Sequence, residues 1–204
     1  MDDLDAATVQ DCQEFFRTYY APNNAVLVIS GSFDANEAKS LIEKYFATIP
    51  SQPKPEPLDV SEPPEIALKA QVYEDKLAPF PAFIDGWKIP QRRTPEFYAL
   101  YLAGKLLYDG ESSRLYQKLV KGDESVIQIF GFTDERRGPS GVVIGAIPKP
   151  GQNVSQIRSQ IYQEIEQIAS EGPSEEEMQK LRNQLINDEV RARQSSMARA
   201  QRIA

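Results

Sequence analysis

A chain of 204 residues, 41% of them hydrophobic, can bury a core as one large domain or two small ones. Its 30 acidic against 23 basic residues leave a net charge of −7, which argues against sequence-independent nucleic-acid binding, since that needs a positive footprint. There is no histidine and a single cysteine, Cys12, so the chain builds no Ser-His-Asp or Cys-His site, no intrachain disulfide and no structural zinc site of its own.

Asp2–Tyr20 is predicted as a helix. Thr8 or an aspartate before it can cap, and Val9, Cys12, Phe15, Phe16 and Tyr19 form one apolar stripe. Cys12 reads as a small packed residue, with no histidine to activate it. Tyr19 and Tyr20 read as packed, with their hydroxyls at the surface. Pro22, Asn23 and Asn24 break the helix. Ala25–Ser30 is a continuous apolar run, predicted as a buried strand and ended by Gly31. Asp34 caps a further helix to about Phe46, with Ala38, Leu41, Ile42 and Tyr45 inward. Pro50–Pro64 then holds six prolines among polar residues, and such a segment is stiff and extended. It places a domain boundary there: 1–50, a linker over 51–64, and 65–204.

Glu65–Glu74 carries Ile66, Leu68, Ala70 and Val72 on one face, and Phe80–Ile89 carries Phe83, Ile84 and Trp87; both read as strands. Phe97–Val120 is the stretch around which the chain is organised. Phe97, Leu100, Tyr101, Ala103 and Leu107 fall at helical spacing, Asp109-Gly110 stops that helix, and Ser112 or Ser113 can restart one by accepting from a backbone amide. Leu115, Tyr116, Leu119 and Val120 line the second helix. Ser125–Thr133 and Val142–Ile147 read as a hairpin about the turn Asp134–Gly141. Asn153 or Ser155 starts an amphipathic helix with Ile157, Ile161, Ile165 and Ile168 inward, ended by Gly172-Pro173. Ser174 and Glu177 form a capping box for the last helix, which carries Met178, Leu181, Leu185 and Ile186 and meets no stop signal before Ala204, as expected of an excised fragment.

Little here reads as chemistry. Glu62/Glu65, Glu74/Asp75 and Glu175–Glu177 read as solvated faces or helix caps. Arg136-Arg137 could grip a carboxylate but reads as a solvated turn. Neither phosphate-loop signature occurs. The longest apolar run, Ala25–Ile29, is far too short to span a membrane, and no basic segment with a following apolar stretch opens the chain, which reads as soluble.

Gly110–Val120, GESSRLYQKLV, resembles the SSRLY segment of the pitrilysin/insulinase zinc peptidases, the family of mitochondrial processing peptidase. Phe15–Gly31, FFRTYYAPNNAVLVISG, is similar to that family's helix, Tyr-x-Pro-x-Asn turn and apolar strand. The resemblance implies an α+β metallohydrolase fold of helix-covered, mostly antiparallel sheets. Residues 1–50 would end the first, catalytic-type domain, and 65–204 would be most of its second, homologous domain. Family members bind zinc through His-x-x-Glu-His, whose Glu is the general base. Nothing here matches that motif, so catalytic and metal-binding residues are none, and zinc is implied only in a full-length parent. The implied role is a non-catalytic fragment of a zinc-dependent metalloendopeptidase, giving scaffold and substrate-chamber wall. The alternative is a metal-free assembly or binding subunit. A peptide substrate of the parent and a homologous second subunit are the implied partners. Some family second domains also offer an Arg and a Tyr from a strand after a hairpin turn; the matching strand, Gly141–Ile147, has neither.

Overall fold

The computed structural model describes residues 2–63 and 67–204. In chain order its elements are α1 (Asp2–Ala6), α2 (Val9–Tyr19), a 3-10 helix (Pro22–Asn24), α3 (Ala35–Phe46), β1 (Phe83–Ile89), α4 (Pro95–Tyr108), a π-helix (Tyr116–Gly122), β2 (Val126–Asp134), β3 (Ser140–Pro148), α5 (Val154–Glu171), α6 (Glu175–Ala192) and α7 (Ser196–Ile203). They fall into two compact units. One is Met1–Leu58 with Leu185–Ala204, and the other is Asp59–Gln184.

In the first unit, Thr8 splits the predicted N-terminal helix. Its hydroxyl accepts from the Asp11 amide at 3.2 Å, and the Asp11 carboxylate accepts from the Thr8 amide at 2.8 Å. This reciprocal pair satisfies two amides at the start of α2 and leaves α1 as a separate turn. Asp34 caps α3, accepting from the amides of Asn36 and Glu37. Ala25–Ser30 is not a strand. A strand needs a neighbour for its backbone N–H and C=O groups, and no described segment of this unit is one. Val26 is therefore 73% exposed, and Phe15, Phe16 and Leu27 are exposed with it. Ala21 is the single buried apolar side chain among this unit's described residues. Cys12, expected to pack, is exposed for the same reason.

The second unit holds a three-stranded antiparallel sheet in the order β1-β3-β2. Phe83 pairs with Ala146 and Ile89 with Ser140, while Phe130 pairs with Gly145. β1 begins three residues later than its apolar run, because Pro79 and Pro81 cannot donate to a ladder. Of the strand predicted over Glu65–Glu74, Glu65 and Ile66 lie outside the described residues, as does Pro64 of the linker; Ala67–Glu74 is in no sheet.

The helical corner forms, with two differences. Thr94 caps α4 by accepting from the Phe97 amide at 3.3 Å, so the helix starts earlier than its apolar stripe. Gly110, at φ +77°, reverses the chain after Asp109. The Ser113 hydroxyl donates to the Gly110 carbonyl at 2.8 Å, closing the turn rather than capping the next helix. That helix widens at Tyr116 into a π-helix, with Asp123 donating to the Lys118 carbonyl five residues back. A four-residue repeat fits either helix type, and Leu115 and Leu119 are both fully buried beneath the sheet's covered face.

Each end of the proline-rich segment is held within its own unit. Asn23 and Gln52 exchange two hydrogen bonds, at 2.8 and 3.1 Å. Farther on, Glu62 pairs with Lys88 at 2.7 Å, and a Cβ on Gly138 would sit 2.5 Å from the Val60 carbonyl oxygen.

Candidate functional site

Charged side chains of the second unit converge where the helical corner meets the following helices. Arg114, one residue past the Ser112-Ser113 pair, donates Nε and Nη2 to the two carboxylate oxygens of Glu177 at 2.6 and 2.8 Å. Glu177 also accepts from the Ser174 amide at 2.7 Å, while its own amide donates to the Ser174 hydroxyl. The predicted capping box is therefore present and shares its carboxylate with Arg114. These bonds, the Arg114 pair foremost, hold the Glu177 carboxyl down at about 2 and push the Arg114 guanidinium above its ordinary value.

Two further ion pairs fasten α5. Lys118 of the π-helix reaches Glu164 at 2.8 Å. Arg158 makes a two-pronged pair with Asp85 of β1, one prong at 2.7 Å. Asp85 and Glu164 are themselves buried, so each partner offsets the cost of desolvating a carboxylate. Lys105 and Gln184 both donate to Asp109 at the corner. On the sheet, the Tyr108 ring lies over Gly131, where a Cβ would meet the ring at 2.5 Å. The Tyr108 hydroxyl lies 3.2 Å from the Thr133 hydroxyl, and burial pushes its titration upward.

Glu177, Arg114 and Arg158 are each locked to a fixed partner and shifted toward their charged forms. Among the described residues no three or more His, Cys, Asp or Glu side chains could hold a metal ion. The donor set of the described residues does not fit zinc. Of the carboxylate clusters, Glu62 pairs with Lys88 and Asp75 accepts from the Leu77 amide, while Glu65 lies outside the described residues. Arg136 turns back to Asp134 at 2.7 Å, and its amide donates to the Ser140 hydroxyl, so it closes the hairpin turn. β3 extends over Ser140–Pro148 and still carries neither Arg nor Tyr. An open hollow lines the outer side of α5 between Ser155 and Glu166.

The sequence signalled Arg114 through the SSRLY run and Glu177 through its spacing from Ser174. Asp85, Lys118, Arg158 and Glu164 carried no signal. Their pairs join residues 73 and 46 positions apart, which no local pattern encodes.

A family profile described as the "Peptidase M16 inactive domain" matches residues 6–185. The zinc protease PqqE of Helicobacter pylori is 23% identical over 185 residues, covering 89% of this chain and 41% of that protein. The crystal structure of a protease from Helicobacter pylori superposes with a TM-score of 0.87 at 23% identity, over 98% of this chain and 49% of that one. A chain of complex III2 from Candida albicans superposes with a TM-score of 0.76 at 18% identity, over all of this chain and 49% of that one. The chain spans less than half the length of each of these three.

Proposed function

The chain belongs to the pitrilysin/insulinase (M16) peptidase family, matching its inactive domain, and on that premise we propose that it is the non-catalytic framework of a zinc-dependent metalloendopeptidase. The single observation that carries this reading is the inactive-domain match over residues 6–185 of a chain without histidine. The ion-pair network supports it, because the Arg114–Glu177, Lys118–Glu164 and Arg158–Asp85 pairs each brace one element against another. In this reading zinc and the general base belong to the rest of the parent. The second unit forms part of the wall of a chamber that holds a peptide substrate.

The first unit fits the same proposal. Its amphipathic helices and the Ala25–Ser30 run leave apolar side chains exposed, as the tail of a larger catalytic-type domain would when read by itself. In the parent these side chains pack against the remainder of that domain, and Ala25–Ser30 joins its sheet. We further propose that a homologous second subunit supplies the Arg/Tyr pair that β3 lacks.

The test is zinc-dependent hydrolysis of an unstructured peptide by the full-length parent, alone and with a homologous partner. Activity that appears on mixing and vanishes with a chelator supports the proposal. Full activity of the purified homodimer rejects the borrowed Arg/Tyr pair. A parent that assembles with a partner yet neither holds zinc nor cleaves peptide supports the second reading, a metal-free assembly subunit. The fold likeness to a chain of complex III2 favours that alternative.

A further inference from the structure

We propose that the β2–β3 turn is a buckle for the proline-rich segment. Gly138 is its seat, the Lys88–Glu62 pair is its clasp, and together they set the free length of the tether that joins the two units. The segment is clamped on both sides. Asn23 and Gln52 exchange two hydrogen bonds within the first unit. Val60 and Glu62 are held within the second. Between the clamps lies Pro53–Asp59, in which Pro53, Pro55 and Pro57 favour an extended chain. At about 3.1 Å per residue this span reaches about 22 Å.

The seat is what requires a glycine at 138. A Cβ there would lie 2.5 Å from the Val60 carbonyl oxygen and 3.2 Å from the Val60 Cβ, and its nearest neighbours are all atoms of Val60. Gly138 does not adopt the left-handed conformation that Gly110 and Gly151 do. The turn's own backbone therefore does not call for a glycine, whereas the close approach of the linker does. The turn is also braced from within, because the Arg136 amide donates to the Ser140 hydroxyl and its guanidinium grips Asp134. The clasp stands beside the seat. Lys88 is the ladder partner of Gly141, where the turn ends, and it reaches Glu62 at 2.7 Å and the Pro63 carbonyl at 3.5 Å.

Seat and clasp respond to different conditions. The seat is a steric fit and is indifferent to salt. The clasp is an ion pair whose side chains are 37% and 40% exposed, so dissolved ions screen it. Release of Val60–Pro63 lengthens the tether by about 12 Å at the same rise per residue. The buckle thus gives the tether a short and a long form, the long form being favoured by salt, and so limits the excursion of the units that the tether joins.

The experiment uses the full chain in a Cys12→Ser background, with a nitroxide label on Ser61→Cys in the buckled stretch or on Glu56→Cys in the free span. Electron paramagnetic resonance reads the mobility of each label. At low salt the label at 61 should tumble at least about threefold more slowly than the label at 56. Gly138→Ala should bring it to the rate at 56 while circular dichroism stays unchanged. Lys88→Gln leaves the turn untouched; it should speed the label at 61 and abolish its response to raising salt from about 0.05 to about 0.5 M. Equal mobility at 61 and 56 in the otherwise unsubstituted chain would overturn the proposal. So would a slow label at 61 that Gly138→Ala or Lys88→Gln leaves unchanged.

Discussion

Arg114 holds both oxygens of the carboxylate of Glu177, 63 positions away in sequence, and Glu177 in turn caps the helix it begins. One side chain thus joins the helical corner to the start of α6.

This arrangement makes part of the acid stability depend on the Glu177 carboxylate. Its folded value lies near 2, against 4.5 unperturbed, so its contribution is complete above 4.5 and is lost as pH falls toward 2. The shift corresponds to at most about 3 kcal/mol, reduced by the carboxylate's partial exposure. Glu177→Gln should lower stability at neutral pH and flatten the acid limb of the unfolding curve between those two values. An unchanged limb would show that the pair is not what titrates.

Gly131 is expected to tolerate no side chain. A methyl there meets the Tyr108 ring and the Val143 carbonyl oxygen, and the ring is fixed at its far end by Thr133. Gly131→Ala should cost roughly 1–3 kcal/mol, the range for overpacking a filled core, measured by denaturant unfolding. Tyr108→Phe, which removes only the hydroxyl, should cost about 1 kcal/mol.

Leu115 is fully buried where the corner meets the sheet. Leu115→Ala should cost roughly 2–5 kcal/mol, as truncation of a buried leucine does. A cost under about 1 kcal/mol would mean that the corner repacks around the gap.

The first cleavage by a broad-specificity protease is expected at Pro53–Leu58. The chain is tied down at Gln52 before this stretch and at Val60 and Glu62 after it. Its prolines also leave few bonds that a protease can accept, so the Leu58–Asp59 bond is the expected site. A first cut inside the β2–β3 hairpin would contradict this.

The chain by itself should retain no stoichiometric zinc through dialysis and should leave peptides uncleaved. Metal analysis alongside a peptidase assay checks both, and bound zinc supporting hydrolysis would sink the scaffold reading.

The second unit was largely legible in the sequence. Period-two runs ended by turn residues located β2 and β3, and 3.6-residue spacing with clear caps located α4, α5 and the start of α6. The π-helix was not legible, because Leu115 and Leu119 repeat by four in either geometry. The Ala25–Ser30 strand failed for a different reason. Its apolar run is right for a strand, but a sheet is a property of several segments, and no neighbour among the described residues answers it. Asp85 and Arg158 show the same limit at the level of side chains: each looks like an ordinary surface charge until the fold brings them together.

The division of the chain also bears on the order in which it can fold during synthesis. Asp59–Gln184 is continuous, so it is complete once α6 has begun to leave the ribosome. The other unit draws on both Met1–Leu58 and Leu185–Ala204, so its two parts are separated in synthesis by the 126 residues of the first. Joining the two parts leaves Phe15, Phe16, Val26 and Leu27 exposed, so completing this unit does not remove the surface that chaperones recognise.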